Sequence, residues 1–303
     1  MNKNSTPSIN NICAMIVTYN PDDCIVDRVK FILKQVRIVI IVDNTEVVSA
    51  ADPLNTFSNN ENIHIIRNNE NLGVATALNI GFDYAINSFV NIKWCLTLDQ
   101  DTVVSLDIVD QLVSVYMQCE YKDKIGIIGS NYEEWTTGNI LHTPKQPENI
   151  WEEVDHLPTS GSLTSILNYR LVGKFRDEFF IDYVDTEYCF RLKDTGYKLL
   201  ITTSVCMKHP LGYYRGSLLY KMLFSRSMVT NYPAFRHYYW TRNGIKLCYE
   251  RHKQNFSWAA NELFYLLIRR PITILLFETD KYTKIKYIIL GIYHAITNRF
   301  NRI

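Results

Sequence analysis

The sequence predicts an α/β protein with a mostly parallel sheet flanked by helices, followed by a helical C-terminal region. In the first half of the chain, short apolar segments alternate with segments whose apolar residues recur at helical spacing. This strand–helix rhythm is typical of parallel sheets with right-handed crossovers. From about residue 218 the apolar spacing is helical. A long irregular stretch with three prolines, residues 131–160, separates the two patterns and predicts a loop with short strands.

Several short apolar segments predict the strands. One of them, Ile38–Val42, is wholly apolar, as strands buried on both faces of a parallel sheet are. The predicted strands are Ile12–Val17, Ile38–Val42, Ile63–Ile66, Trp94–Leu98 and Ile125–Ile128.

Helices are predicted between these strands and at the end of the chain. The first carries Ile25, Val29, Ile32, Leu33 and Val36, the second follows Gly73, and the third lies near Leu106–Tyr116. In the C-terminal region, Pro233 suits a helix start, and an apolar helix over Ala259–Arg269 stops at Pro271. The last helix is basic and carries an apolar stripe of isoleucines at 285, 288, 289, 292 and 296. We therefore predict two domains, residues 1–215 and 216–303.

The charge is divided along the chain. The formal net charge is +1, but residues 1–203 hold 16 Lys and Arg against 27 Asp and Glu, a net of −11. Residues 204–303 hold 16 against 4, a net of +12. Such a basic region often meets an anionic surface. It either docks peripherally on an anionic membrane, or its Lys and Arg are solvated or pair with the acidic half or with a second subunit of a homodimer.

Composition excludes several classes of protein. The 47% hydrophobic and 21% charged residues indicate a globular chain, and the overall charge suggests no nucleic-acid partner. The seven cysteines include no Cys-x-x-Cys pair, which indicates free thiols in a reducing compartment. The polar start resembles no signal peptide, and no apolar run reaches the roughly 18 residues of a membrane span. We expect a cytoplasmic protein, with the inner face of the membrane left open.

Polar residues follow several of the predicted strands at their carboxyl ends, where ligands bind in such sheets. These residues are Thr18-Tyr19-Asn20, Asp43-Asn44, Arg67 and Asp99-Gln100-Asp101. Two carboxylates at alternate positions, Asp99 and Asp101, can share a divalent cation, although such a pair can also serve only as a turn or helix cap. His209 is a candidate metal ligand or an ordinary packed histidine.

A second acidic group, Asp182, Asp185 and Glu187, precedes a predicted helix and offers either a general base or merely a charged helix N-terminus. No Gly-x-Gly-x-x-Gly follows the first strand, and neither a P-loop nor a Gly-x-Ser-x-Gly elbow is present. Dinucleotide binding is thus disfavoured, and the other two chemistries are excluded.

Six segments together resemble the inverting glycosyltransferases of family 2, which have the GT-A fold. They are Ile16–Pro21, Val42–Asn44, Asn69–Gly81, Leu98–Thr102, Val172–Ile181 and Val184–Arg191. Within that family the motifs are most similar to those of bacterial rhamnosyltransferases. These enzymes share the Asp-Gln-Asp-Thr motif, the Phe-Ile-Asp-Tyr-Val-Asp motif and a late Arg-Asn pair like Arg242-Asn243. The resemblance covers about residues 12–250. Val184 stands at a position where Glu is common in the family. This replacement of Glu is usual in the rhamnosyl subgroup.

The resemblance implies a role for each candidate residue. Thr18, Tyr19, Asn20 and Asn44 would line the nucleotide pocket with Gln100, Asp43 would meet the pyrimidine, and Arg67, Asn71 and Gly73 would border the donor. Asp99 would face ribose and metal, while Asp101 and His209 would hold Mg²⁺ or Mn²⁺. Asp185 would be the general base, and Glu187 and Arg242 would contact substrate.

The resemblance further implies inverting transfer of L-rhamnose from dTDP-β-L-rhamnose to a saccharide acceptor, free or lipid-linked, in bacterial cell-surface polysaccharide synthesis. Three alternatives remain: a family 2 enzyme that uses UDP-galactose, UDP-glucose or UDP-N-acetylglucosamine, a catalytically dead sugar-binding protein, and a nucleotidyltransferase.

Overall fold

The computed structural model describes residues 5–135, 137–146, 148–209, 213–216, 220, 222, 228–300 and 302–303. The chain forms two compact units. The first comprises Met1–Arg176 and Asp185–Pro210, and the second comprises Asp177–Val184 and Leu211–Ile303. The predicted boundary after residue 215 assigned residues 177–184 to the first domain, whereas in the structure these residues cluster with the helical unit.

Among the described residues, nine strands form one mixed sheet in the first unit. Their order is β3-β2-β1-β4-β8-β6-β9, and β5 and β7 both pair with β9. The strands are β1 (Ile12–Thr18), β2 (Ile38–Asp43), β3 (Ile63–Arg67), β4 (Trp94–Asp99), β5 (Val103–Val104), β6 (Ile125–Glu134), β7 (Trp151–Val154), β8 (Ser162–Ser165) and β9 (Lys198–His209). Strands β1–β4, β6 and β9 run in one direction, so the predicted mostly parallel sheet is confirmed.

Helices flank this sheet. They are α1 (Ile25–Leu33), α2 (Gly73–Ser88), α3 (Ile108–Gln118), α4 (Ile166–Val172) and α5 (Val184–Asp194). The predicted strands and the helices between them are therefore confirmed, although α1 ends before Val36. All six residues of β2 are buried, which explains why its first five, Ile38–Val42, are all apolar.

Two strands of the sheet were not predicted: β8, at its centre, and β9, which ends at the candidate metal ligand His209. Strand β8 runs antiparallel between β4 and β6, yet three of its four residues are Ser or Thr. Their hydroxyls are buried because they find hydrogen-bond partners: Ser162 donates to the Pro158 carbonyl, and Ser165 accepts from the Asn168 amide. Strand β9 is long but has exposed residues in its middle, so its apolar pattern is broken.

The second unit is mostly helical. After a two-stranded antiparallel sheet, β10 (Tyr213–Gly216) with β11 (Met228–Asn231), the helices are α6 (Ala234–Arg251), α7 (Phe256–Phe264), α8 (Arg270–Phe277) and α9 (Lys281–Ile296). The predicted helical C-terminal region is therefore confirmed, although β11, which pairs with β10, precedes its long helices. The predicted stop at Pro271, however, is wrong: a π-helical turn, Tyr265–Arg269, leads into α8, whose first turn tolerates proline because the missing N–H needs no partner there.

Over the described ranges, with the gaps given above, the helices are too short or too polar to cross a bilayer.

Candidate active site

The parallel register aligns the predicted polar residues at one edge of the sheet. Asp99 at the end of β4 is paired in register with Val17 of β1, next to Thr18. Thr18 is in turn opposite Asp43 of β2, and Asp43 is opposite Arg67 of β3. Four neighbouring strands thus present their terminal polar residues side by side, as expected for a ligand site at the carboxyl edge of a parallel sheet.

Asp43 is the buried acceptor of this edge. Its side chain is fully buried, and its Oδ1 accepts hydrogen bonds from the hydroxyls of Thr18 at 2.8 Å and Thr45 at 2.7 Å. Its Oδ2 lies 2.6 Å from Arg67 Nη1. The same Arg67 nitrogen lies 2.9 Å from Asp52 Oδ2. A buried carboxylate with this many donors is held in one orientation.

Arg67 carries two carboxylates on one side. Burial alone lowers its pKa, but hydrogen bonds and charges from Asp52 and Asp43 outweigh that effect and raise the pKa above its ordinary value. The guanidinium is therefore a permanent cation at the end of β3. Its side chain keeps 22% of its surface exposed, so this charge also faces solvent at the mouth of the site.

The turn into α2 is closed by three of the predicted residues. Asn71 Oδ1 accepts from the Gly73 amide at 3.1 Å, and Asn44 Nδ2 donates to the Gly73 carbonyl at 3.1 Å. Gly73 has a φ of +83°, in the left-handed region that favours glycine. The asparagines therefore fix the backbone at the start of α2, beside the end of β2.

The ends of β1 and β4 are joined by Gln100. Its Oε1 accepts from the Tyr19 amide at 2.8 Å, and its Nε2 donates to the Tyr19 carbonyl at 3.3 Å. The next residue, Asn20, has a φ of +47° and donates its amide to Thr45 Oγ1. Gln100 thus links the ends of the two strands by hydrogen bonds. The Tyr19 side chain is half-exposed at the surface of the site.

Asp99, Asp101 and His209 form a cluster that can hold a metal ion. Each offers one ligand atom, and these atoms lie within 4.8 Å of one another. His209 Nε2 is 3.6 Å from Asp99 Oδ2, and its Nδ1 is 3.5 Å from Asp101 Oδ1. Asp101 Oδ1 is buried and has no hydrogen-bond partner among the described residues. A buried carboxylate oxygen left without a donor, among two carboxylates and an imidazole, fits a divalent cation.

A chain of hydroxyl groups supports the cluster from behind. The Asp99 amide donates to Ser160 Oγ at 3.0 Å, Ser160 Oγ lies 2.8 Å from Thr102 Oγ1, and Thr102 Oγ1 lies 3.0 Å from His209 Nδ1. When Nδ1 donates to Thr102, the lone pair of Nε2 points away from this chain and is available to a cation. Such outer partners orient a metal-binding histidine.

Asp185 lies in the first turn of α5, where the helix dipole favours its ionised form. Its Oδ1 accepts from the Thr186 amide at 2.7 Å. Asp185 lines a narrow cavity together with Pro158 and Thr159, the residues that immediately precede Ser160. The loop that contacts Asp99 through Ser160 therefore also borders the Asp185 carboxylate. Cys189 lines the same cavity, but burial raises the pKa of its thiol to about 12, so it is no nucleophile.

Two predicted substrate-binding residues are engaged elsewhere. Glu187 is buried and forms a two-point ion pair with Arg191, with both contacts at 2.8 Å, and Arg191 also donates to the carbonyls of Val172 and Lys174. Arg242 is fully buried in the helical unit. Both side chains are enclosed by groups of the protein itself, so we propose that they have structural or positioning roles.

Four supporting residues of the site were not predicted: Thr45, Asp52, Thr102 and Ser160. Thr45 and Thr102 directly follow predicted site segments, so proximity in sequence is a signal that could have found them. Asp52 and Ser160 lie in loops, and only the tertiary contacts identify them.

Comparisons with known proteins agree with this geometry. The family model for glycosyl transferase family 2 matches residues 13–175, more than half of the chain. The dTDP-rhamnosyl transferase RfbF of Shigella flexneri is 28% identical over 290 residues, which cover 91% of each protein. The crystal structure of residues 1–349 of S. aureus TarS shares the fold, with a TM-score of 0.55 at 11% identity, and the match covers 96% of this chain and 82% of that one. The chain belongs to glycosyl transferase family 2 and is a glycosyltransferase.

Proposed function

We propose that the protein transfers L-rhamnose from dTDP-β-L-rhamnose to a saccharide acceptor, with inversion at the anomeric carbon, in the synthesis of a bacterial cell-surface polysaccharide. The observation that carries this proposal is the aligned edge of β1–β4, where the buried carboxylate of Asp43 and the cation of Arg67 lie beside Asp99, a member of the Asp-Asp-His cluster. The likeness to an enzyme named as a dTDP-rhamnosyl transferase supports the choice of donor.

The residues divide the work of holding the donor. We assign Asp43, Thr18 and Asn20 to the nucleoside, and Arg67, Asn71 and Gly73 to the rim of the donor pocket. Asp99, Asp101 and His209 would hold Mg²⁺ or Mn²⁺. When bound, such a cation offsets the negative charge that develops on the leaving nucleoside diphosphate.

Asp185 is the proposed general base. Its carboxylate, in the first turn of α5, accepts the proton of an acceptor hydroxyl. As the O–H bond breaks, the hydroxyl oxygen bonds to the anomeric carbon, and the bond from that carbon to the diphosphate oxygen breaks. Attack from the face opposite the leaving group converts the β-linked donor into an α-L-rhamnoside.

The donor is tested by a screen of nucleotide sugars. With metal present, dTDP-rhamnose is expected to be hydrolysed and to raise the melting temperature more than UDP-galactose, UDP-glucose or UDP-N-acetylglucosamine does. A UDP-sugar that gives the larger effects would replace rhamnose with that sugar. Release of pyrophosphate instead of nucleoside diphosphate would identify a nucleotidyltransferase, and binding without any turnover would identify a sugar-binding protein.

We propose that the helical unit meets an anionic membrane, which would bring the enzyme to a lipid-linked acceptor. Its described helices expose large apolar side chains, with 49% of Ile268, 52% of Leu275, 54% of Leu276 and 61% of Ile289 accessible. The region that carries them has a net charge of +12 over residues 204–303. Apolar side chains beside a basic surface are the combination by which amphipathic helices bind anionic bilayers.

Liposome flotation tests this surface. The protein is expected to float with vesicles of anionic lipid and to float less as salt is raised, because the attraction is screened. The double variant Leu275→Ser/Leu276→Ser is expected to lose most of the binding. Its matched control, Leu106→Ser/Leu171→Ser, removes two exposed leucines from the acidic unit and should float like the wild type. If the wild type stays in the bottom fraction of the gradient at low salt, the membrane proposal is wrong. Self-association of the protein in analytical sedimentation would then favour a homodimer.

A further inference from the structure

The segment directly before Asp185 has an unusual backbone. Phe180, Asp182 and Tyr183 have φ values of +57°, +65° and +62°, in the left-handed region that L side chains rarely adopt. Bulky aromatic residues are especially disfavoured there. Such a conformation persists only where the surrounding contacts hold it, and clusters of this kind occur at functional sites. The segment leads directly into α5, which begins at Val184 and carries Asp185 as its second residue.

Two consecutive side chains of α6 hold the backbone of this segment. Arg242 Nη2 donates to the Glu178 carbonyl at 2.6 Å. Asn243 Nδ2 lies within hydrogen-bond distance of the carbonyls of Phe179, Ile181 and Asp182, at 2.7, 2.9 and 3.0 Å. Arg242 Nε also donates to Asn243 Oδ1 at 3.0 Å, which fixes the amide with its nitrogen towards the segment. Both side chains are fully buried.

The side chains of the segment are held by the same helical unit. The Phe180 ring stacks on Tyr239, with ring centres 4.8 Å apart. Asp182 forms an ion pair with Arg236. The Tyr183 hydroxyl donates to Glu262 of α7, and burial together with that carboxylate raises the pKa of Tyr183, so the hydroxyl keeps its proton. Each of the three left-handed residues is therefore held by a different side chain of the helical unit.

Gly244 makes room for this arrangement. A Cβ atom at Gly244 would lie 2.8 Å from the Tyr183 ring carbon Cζ and 2.6 Å from Leu266 Cδ1, closer than real Cβ atoms approach. Glycine is otherwise unfavourable inside a helix such as α6. Its position is explained by the close approach of Tyr183. Arg242, Asn243 and Gly244, consecutive on α6, thus act on one segment by hydrogen bonds and by space.

We propose that Arg242, Asn243 and Gly244, which we call the anchor, are positioning residues that hold the strained segment 178–183 and thereby fix the Asp185 carboxylate for proton removal. This proposal rests on the proposed function of Asp185. It explains why Arg242 is buried away from substrate although the sequence pattern associates it with function. A small displacement of a catalytic group can cost about 100-fold in rate, so the anchor would act on turnover and leave the donor-binding residues unaffected.

Two variants test the anchor by different physics. Asn243→Ala removes the donors, and Gly244→Ala adds a methyl group against Tyr183. Each is expected to lower kcat at saturating donor and acceptor by at least about tenfold. The dissociation constant of the donor with Mn²⁺, measured by calorimetry, should stay within about twofold, because neither residue belongs to the nucleotide edge, our term for the carboxyl ends of β1–β4 to which we assign the donor.

The controls separate positioning from general damage. Lys284→Met removes a buried cation of the same unit, whose described contacts are with Asn231 and Glu278, and should lower the melting temperature while leaving kcat unchanged. Turnover that stays within twofold in both Asn243→Ala and Gly244→Ala would overturn the proposal. So would donor affinity that falls in parallel with kcat, or a Lys284→Met variant that loses turnover like the anchor variants.

A double variant distinguishes failure of the anchor from failure of the proposed base. If the anchor acts through Asp185, Asn243→Ala should cause no further loss of the residual turnover of Asp185→Asn. An additional tenfold loss in that background would mean that Asn243 acts independently of Asp185 and would overturn the positioning role. If instead Asp185→Asn alone retains full turnover, the proposed base is wrong, whatever Asn243→Ala does.

Discussion

Asp185→Asn is expected to lower kcat for sugar transfer by about 10²–10⁴-fold, the contribution typical of a positioned general base. Asparagine has nearly the same shape and can still accept the hydrogen bond of the Thr186 amide, so α5 should begin as before. It cannot take a proton from the acceptor hydroxyl. Donor binding with metal should be nearly unchanged, because the nucleotide edge is built from β1–β4.

Turnover is measured by release of nucleoside diphosphate in the presence of acceptor, and donor binding by calorimetry. Asp194→Asn, which changes an exposed carboxylate at the other end of α5, is the matched control and should keep wild-type turnover. Wild-type turnover in Asp185→Asn would remove Asp185 from the mechanism.

Asp101→Ala is expected to weaken Mn²⁺ binding, and metal-dependent donor binding with it, by about 100-fold or more, because it removes a ligand from a cluster of three. Loss of an outer partner alone costs about 10–100-fold in metal affinity. Thr102→Val, which removes the hydroxyl 3.0 Å from His209 Nδ1, should therefore give a smaller loss of about tenfold.

Direct Mn²⁺ titration and donor calorimetry with and without Mn²⁺ measure both effects. Asp110→Asn changes an exposed carboxylate on α3 of the same unit and should leave both quantities at their wild-type values. If Asp101→Ala binds donor in the presence of Mn²⁺ as tightly as the wild type does, the cluster does not hold the metal.

The polar carboxyl edge of β1–β4 could be predicted because its signals are local. Each of β1–β4 is an apolar segment that ends in a polar residue, and in parallel strands those ends meet at one edge. The register then places Thr18 opposite Asp43 and Asp43 opposite Arg67 without help from any distant segment.

The candidate metal site formed by Asp99, Asp101 and His209 could be predicted only in part. His209 was a candidate, but its place beside Asp99 and Asp101 depends on β9, a strand whose middle residues are exposed and whose apolar pattern is therefore broken. Ser160 lies in a loop and has no sequence signal of its own. It matters because its hydroxyl meets both the Asp99 amide and Thr102.

The sequence by itself determined the fold class and the positions of the first strands along the chain, and it pointed to the carboxylates of the candidate site, because periodicity and strand-end composition are properties of neighbouring residues. Only the tertiary structure shows what Glu187, Arg242 and Asn243 contact. Their charges and amides look equally suited to a substrate in the sequence, but each is buried. A buried polar group must be satisfied by whichever groups the fold brings to it. For Asn243 those groups are backbone carbonyls more than 60 residues away along the chain.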